Sequence, residues 1–581
     1  MNFKRIISTA LVTALAVTSV SLGIPSAAST VHAEALTKSE AYAARMGHGW
    51  NLGNSFDGFD TGNSNLGGGE TAWGNPVVTK QLLEEVKDKG YDSIRMPFTV
   101  NMRYTEDNGT YTISSAWLSR YKEVVDWASD LGLYVVINMH HDSWAWLSSW
   151  DGKKDSKEYQ MYTQFYQQIA DYFKDEGDNV AFETINEPTF SATGSITAED
   201  KLEMINSAAY DIIRKSGGNN ETRMILMPSL NTNHEESKTG PLSDFIRSLN
   251  DENVIATVHY YSDWVYSANL GETGFDESIN GGSTPRQSAD SFFSILQKEF
   301  TDNGIGVVVG EYGLLGYDSG SSILQKGEEL KYYEYMNSKA DDAGICLMFW
   351  DNGSGIDRST GEFKDAQVGS MLEACNRSEC SSYTTGLDTI YFTKSPDRQT
   401  LLPLTLNGNT FTGIRELTRG SDYSYRKSAD AVVLKESTVA RLMDGASDGT
   451  FATLTLQFSS GSDCIVKLVK CETPVYEAAT GSKSDGITIP VSYNGNDIRR
   501  ISATSNGTAV GPNSSWWKYL QYGTAYVVNT SAGTLQMKNT FFSDSSVSNG
   551  STVTLSIEYY NGETGTYTLQ IGSDGSVTGN N

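Results

Sequence analysis

Two glutamates stand where the chain reads as the end of a buried strand. Val180-Ala-Phe-Glu-Thr-Ile-Asn-Glu-Pro188 runs from β-favouring residues into a proline that cannot donate to a continuing ladder. That leaves Glu187 at the C-terminal mouth of the run, beside the amide of Asn186. Ile305-Gly-Val-Val-Val-Gly-Glu-Tyr-Gly313 repeats the pattern and ends on Glu311. Taken alone, either glutamate reads as a cap or a surface charge. Two of them closing two distant strands suit one shared site and one chemistry, the cleavage of an acetal. One carboxyl protonates the leaving oxygen while the other meets the developing oxocarbenium ion. The two must differ in protonation near neutral pH, so the surroundings of one should raise its pKa. Arg95 is the natural cation to keep the other ionised, and Tyr261 can donate a hydrogen bond to the same group.

These residues need a frame that collects strand ends. Over 34–375, apolar runs at 48–52, 93–96, 134–140, 180–186, 224–228, 254–260, 307–311 and 346–350 read as strands. Between them lie amphipathic segments at 80–89, 116–131, 157–175, 199–215 and 288–301. The alternation predicts an α/β fold, a (β/α)8 TIM barrel with long loops. An open doubly wound sheet would want a glycine-rich phosphate turn, and Gly47-His-Gly-Trp-Asn-Leu-Gly-Asn54 lacks that spacing. Barrel function sits at the C-terminal ends of strands. Those ends carry Asn51, Arg95, His140 with His141, Asn186 with Glu187, His259 with Tyr261, Glu311 and Trp350.

After Cys375 the pattern changes. A polar linker is expected over 376–385, then two small all-β domains of immunoglobulin-like sandwich type over 386–472 and 473–581, with hairpins marked by Asn407-Gly408 and Asn561-Gly562. The Gly/Ser/Asn-rich end reads as a loose tail.

Composition narrows the partners. A net charge of −27 in 581 residues excludes a basic nucleic-acid face and suits an anionic polymer poorly. Aromatics at 11% suit a neutral sugar polymer, although most must fill cores. Lys4 and Arg5, an apolar run to Val20 and Val31-His-Ala33 predict an export signal over 1–33 and a secreted, extracellular product. That run is too short to read as a transmembrane span, and no later run approaches the length of one. The five cysteines all follow residue 345, and Cys375 with Cys380 and Cys464 with Cys471 are close enough in sequence to pair, though spacing does not settle connectivity. No metal or other cofactor is expected, since His140 and His141 as neighbours in a strand would point to opposite faces.

Six motifs in order, Ser93-Ile-Arg-Met-Pro97, Asn138-Met-His-His-Asp142, Ile185-Asn-Glu-Pro188, Val258-His-Tyr-Tyr261, Gly310-Glu-Tyr-Gly313 and Phe349-Trp350, resemble glycoside hydrolase family 5. Gly49-Trp-Asn-Leu-Gly-Asn54 is similar to the branch of that family with many endoglucanases and xyloglucanases. The resemblance implies a retaining double displacement with Glu187 as acid/base and Glu311 as nucleophile. By it Arg95 and Tyr261 orient Glu311, Asn186 binds the sugar 2-hydroxyl, His140 and His259 line the cleaved-bond subsite, and Trp350 floors the ring; Asn51 and His141 join the substrate-binding set. Trp144 and Trp150, after the third strand, are expected on the cleft wall. Leu404-Thr-Leu-Asn-Gly-Asn-Thr-Phe411 resembles X2-type modules of cellulases, and Asn513-Ser-Ser-Trp-Trp-Lys-Tyr519 resembles carbohydrate-binding module family 46. If Trp516 and Trp517 lie in a strand, one faces sugar and the other the core. The implied protein is a secreted, monomeric endo-β-1,4-glucanase acting on plant cell-wall β-glucan, that is cellulose, mixed-linkage glucan or xyloglucan. A mannanase or xylanase on the same barrel is the alternative among enzymes. A non-catalytic polysaccharide-binding protein is the alternative outside them, against which the retained glutamate pair argues.

Overall fold

The computed structural model describes residues 36–59, 69–272, 274–318 and 325–581. The expected export signal lies outside these. Eight parallel strands close a barrel: β1 (His48–Asn51), β2 (Ser93–Phe98), β3 (Tyr134–Met139), β4 (Val180–Glu183), β5 (Ile225–Pro228), β6 (Val254–Tyr260), β7 (Val307–Tyr312) and β8 (Cys346–Phe349). Each pairs with its sequence neighbour, and β8 returns to β1 through His48–Leu347 and Trp50–Phe349. β6 and β7 are buried at every position, which is why they read as unbroken apolar runs.

Several strand ends depart from the sequence reading, among them β2, which runs on past Arg95 to Phe98 and so leaves Arg95 inside the strand. β4 stops at Glu183, three residues earlier than expected, and Thr184, Ile185 and Asn186 carry the chain on to Glu187, whose φ is +36°. Between β6 and β7 the register slips, with Val258 opposite Val309 but His259 opposite Glu311, so that Gly310 is the extra residue of a bulge. A bulge re-aims the side chains beyond it. Here it turns Glu311 into the site.

The helix Lys38–Met46, unforeseen in the sequence, opens with a Thr37–Glu40 capping box. It packs Tyr42, Ala43 and Met46 on Val136, Ala181 and Ile255. Strand alternation puts those three on the same face as Asn138, Glu183 and His259, so the helix closes the end of the barrel opposite the site.

The next module is a sandwich of two four-stranded sheets, and the last pairs a four-stranded with a six-stranded sheet. The stretch expected as a linker is packed rather than loose. Ser381 and Ser382 are buried, and Tyr383–Thr384 pair with Leu404 and Thr405 as an edge strand. The expected loose tail is also ordered: Ser576–Asn580 lies between two neighbours inside the six-stranded sheet. All five cysteines are unpaired. Cys464 begins the extended strand Cys464–Lys470 and Cys471 follows it. At about 3.3 Å per residue their Cα atoms stand roughly 20 Å apart, far beyond disulfide reach. No helix among the described residues is long and apolar enough to cross a membrane.

Candidate active site

Arg95 is fully buried on β2 and its guanidinium ties four strand ends together. Nε and Nη2 grip the two oxygens of Glu183 at 2.7 and 2.9 Å. Nη2 also donates to Asn186 Oδ1 at 2.7 Å, and Nη1 to Glu311 Oε1 at 2.8 Å and Asn51 Oδ1 at 3.1 Å. Burial disfavours the cation, but the charges and hydrogen bonds of Glu183 and Glu311 outweigh it and hold the Arg95 pKa above its ordinary value. A buried arginine needs such partners. Asn51 spends its own amide on the Gly310 carbonyl at 2.9 Å, so it fixes Arg95 and the bulge rather than reaching open space.

Glu311 is held on both oxygens. Tyr261 donates to Oε2 at 2.6 Å, opposite the Arg95 bond to Oε1. His259 stands between the glutamates, with Nδ1 2.9 Å from Glu187 Oε1 and 3.6 Å from Glu311 Oε2. One oxygen of each glutamate falls within 4.8 Å of the other. The Glu187 side chain is 45% exposed and that of Glu311 6%. Burial pushes the Glu187 pKa up, but the His259 hydrogen bond, then the His259, Arg95 and His141 charges, pull it below its ordinary value, the reverse of the raised pKa expected of the acid. A sugar covering that carboxyl would strengthen the upward push.

His140 is neutral. Burial presses its pKa well below the usual value. Its Nδ1 lies 2.6 Å from Asn138 Oδ1, which as an acceptor fixes the proton on Nδ1 and leaves Nε2 to face the Asn186 amide at 3.4 Å. Its ring lies parallel to that of Trp350, 5.7 Å away at 5°. His141 belongs to a second chain of contacts. Its Nδ1 accepts the Trp144 indole N–H at 2.9 Å, and its Nε2 lies 3.2 Å from Asp57 Oδ2. Trp144, 46% exposed, stands against Phe59 at the rim.

Three expectations are corrected. His140 and His141 follow the last residue of β3, so strand alternation does not separate them. Their rings are 4.5 Å apart, and with Asp57 they bring three potential ligand atoms within 4.8 Å of one another. Trp150 does not line the cleft. It is 1% exposed, donates to the Lys153 carbonyl and stacks on Tyr159, because its loop folds into the helical layer. Trp516 and Trp517 occupy a turn instead of a strand, their rings 6.2 Å apart at 35°. Trp517 is buried against Val265 and Leu270 of the barrel and donates to the Leu270 carbonyl at 2.7 Å, which leaves it no face for sugar. Trp516 is 54% exposed.

Sequence reasoning missed Glu183, Asn138 and Asp57. Glu183 could have been found, since a charged residue within an apolar strand requires a buried counter-charge and Arg95 was at hand.

Residues 55–355 match the family model described as cellulase (glycosyl hydrolase family 5). Residues 387–468 match carbohydrate binding domain X2, and 472–580 match the carbohydrate binding domain of family 46. The chain is 34% identical over 552 residues to endoglucanase B of Paenibacillus lautus, spanning 93% of each. It is similar to the solved full-length tri-modular endo-β-1,4-glucanase B from Bacillus halodurans, with a TM-score of 0.85 and 33% identity over 93% of this chain and 98% of that one. A tri-modular family 5, subfamily 4 endo-β-1,4-glucanase from Bacillus licheniformis complexed with cellotetraose gives 0.76 at 25% identity, over 92% of this chain and 100% of that one.

Proposed function

The chain belongs to glycosyl hydrolase family 5, and from that membership we propose how its residues divide the work of a retaining glycosidase on β-glucan: Glu311 as nucleophile, Glu187 as acid/base. The asymmetry of the pair carries the assignment. Glu311 is enclosed, with Arg95 and Tyr261 on its two oxygens, which favours a permanent carboxylate. Among the described residues Glu187 has one side-chain hydrogen-bond partner on its carboxyl, the His259 imidazole, and it opens on the cleft, where it can exchange protons with sugar and water.

In the first step a Glu311 oxygen bonds to the anomeric carbon as the bond to the leaving oxygen breaks, and Glu187 supplies that oxygen with a proton. In the second, Glu187 takes a proton from water, the hydroxyl bonds to the anomeric carbon, and the Glu311 carboxylate departs. One oxygen of each glutamate within 4.8 Å of the other fits the close pair of a retaining enzyme better than the wider pair of an inverting one. Asn186, its Oδ1 fixed by Arg95, offers its amide N–H to a sugar hydroxyl. Trp350, backed by His140, supplies a flat ring under the reacting sugar, and Trp144 and Trp516 supply two exposed rings for longer chains. Cello-oligosaccharides, such as the cellotetraose bound by the Bacillus licheniformis relative, are the ligands proposed for this cleft. The protein is exported and acts as a monomer on plant cell-wall glucan. The positive start and apolar run of the leader support export, and size-exclusion chromatography of secreted protein tests both statements.

The roles are tested with an activated aryl cellobioside. Glu187→Ala should still form the glycosyl-enzyme, and added azide should then release a glycosyl azide of retained configuration. Glu311→Ala should form no such intermediate. Rescue with retention only in Glu311→Ala, or inverted product from the unaltered enzyme by NMR, would reverse the reading.

A further inference from the structure

A cavity of about 810 Å3 lies where the barrel and both β-modules meet. Small-molecule sites run to roughly 300–1,000 Å3. The barrel contributes Asn269 and Ser354 from loops that follow β6 and β8, and Gln325 and Glu329 at the start of the helix Lys326–Ala343. The middle module contributes Tyr391 and the last module Tyr560. None of the residues assigned to catalysis lines it.

Three of its lining side chains hold buried polar atoms without a hydrogen-bond partner: Asn269 Nδ2, Gln325 Oε1 and Glu329 Oε1. Asn269 and Glu329 are each 2% exposed. A buried polar group left unpaired is costly, and three of them belong to side chains in the wall of this one cavity. They ask for both kinds of partner, one acceptor for the asparagine amide and donors for the two oxygens. A hydroxyl serves as either. Among the described lining residues, three lysines stand against four carboxylates, and Lys326 is paired with both Glu329 and Asp365. That near balance favours an uncharged ligand over a phosphate or a polycation. Tyr391 and Tyr560 lie parallel at 7°, with centroids 6.5 Å apart, and Tyr391 is fixed by Asp497 at 2.9 Å. Tyrosine rings of this kind pack against the C–H faces of pyranose rings.

We propose that this three-module cavity is a second binding site, separate from the cleft, for short β-1,4-gluco-oligosaccharides. The inference rests on the glucan reading above, since such oligosaccharides are what the enzyme releases. An occupant touching all three modules binds only their docked arrangement, so it should stabilise the whole chain by mass action.

The test uses full-length Glu311→Gln, which cannot consume the ligand, titrated calorimetrically with cellotriose and cellotetraose. Thr450→Trp combined with Thr530→Trp fills the cavity from its exposed rim, on the middle and last modules, without touching the catalytic centre. The filled protein should bind one oligosaccharide fewer per chain than its parent. In the Glu311 background it should retain cleft binding, and in the active background it should retain aryl cellobioside hydrolysis. Gln325→Leu, which removes one acceptor while leaving the rim open, should weaken the lost class of sites at least tenfold. Equal stoichiometry in parent and filled protein, with Gln325→Leu unchanged, overturns the cavity site and leaves the glucan reading intact. Absence of binding at any site overturns both. Thermal unfolding of each variant serves as the folding control, and Gln325→Leu decides the question if the doubly filled protein fails to fold.

Discussion

Arg95 lies at the centre of the site, yet the residue that makes its burial tolerable is Glu183, which touches no candidate substrate position. Glu183→Gln should therefore cost stability before chemistry, because it removes the two charge-assisted bonds that hold a buried guanidinium and leaves Glu311 as its one carboxylate partner. Breaking such a pair costs roughly 3–5 kcal/mol, to be seen as a lower denaturation midpoint at unchanged m-value; a loss below 1 kcal/mol would show that Glu311 alone suffices. At the opposite edge, His259 draws the Glu187 pKa down against the upward push of burial. A general acid must be protonated, so the rate falls as pH rises through its pKa. In His259→Leu, which can neither donate nor carry charge, that pull is gone, and the alkaline limb of kcat/KM on an aryl cellobioside should move to higher pH even as the maximum drops. A limb that stays in place would detach Glu187 from the acid role.

At the scale of the element, strand ends do the positioning and the Gly310 bulge is the most exacting of them. A Cβ at Gly310 would meet Thr257 Oγ1 at 3.0 Å and His259 Nε2 at 3.2 Å. Gly310→Ala should shift the His259 ring, and a misplacement near 1 Å costs on the order of 10²-fold in rate. Circular dichroism should remain that of the parent while kcat falls; an unchanged kcat would show that the neighbours give way. The same elements show what the sequence makes legible. Strands buried on both faces and ended by a carboxylate or histidine were readable because barrel physics demands both features, whereas Arg95 lies inside its strand. The hairpin Tyr104–Asp107 with Thr110–Ile113 was missed despite its Asn108-Gly109 turn, since its strands are short and mostly exposed. Lys326–Ala343 was missed for another reason. Its Glu328, Glu329, Lys331 and Glu334 are buried, and Lys331 reaches the Thr385 and Gly386 carbonyls of the packed connector. A helix covered on its polar side by another module carries no apolar stripe for periodicity to detect. The turn bearing Trp516 and Trp517 failed in the same way, because its partner lies in the barrel.

In the whole molecule the last module is held on the loop after β6 by an apolar plug and a charge cluster. Trp517 and Tyr519 fill the space beside Val265, Ala268 and Leu270. Around them Arg500 reaches Glu272 at 3.3 Å, Glu277 at 3.5 Å and Glu558 at 2.8 Å, and Arg499 bonds Glu277. Burial, then the hydrogen bond and charge of Glu277, push the Glu272 carboxyl up to about 7, against the pull of Arg500 and Lys518. An unfolded glutamate titrates near about 4.3. Between those values the folded chain binds the extra proton, so this group's stabilisation is fully present below about pH 4.3 and is lost as pH rises through about 7. Glu329 and Glu334, also raised to about 7 by burial, act in the same direction. The Tm of the full-length protein should therefore decline from pH 5 to pH 8. Glu272→Gln, which resembles the protonated carboxyl, should decline less steeply and be the more stable protein at pH 8. The difference between the two curves isolates the contribution of module docking from that of the two helix glutamates. Parallel curves across that range would mean that Glu272 is ionised at every pH tested, and that Arg500 governs the contact between barrel and module.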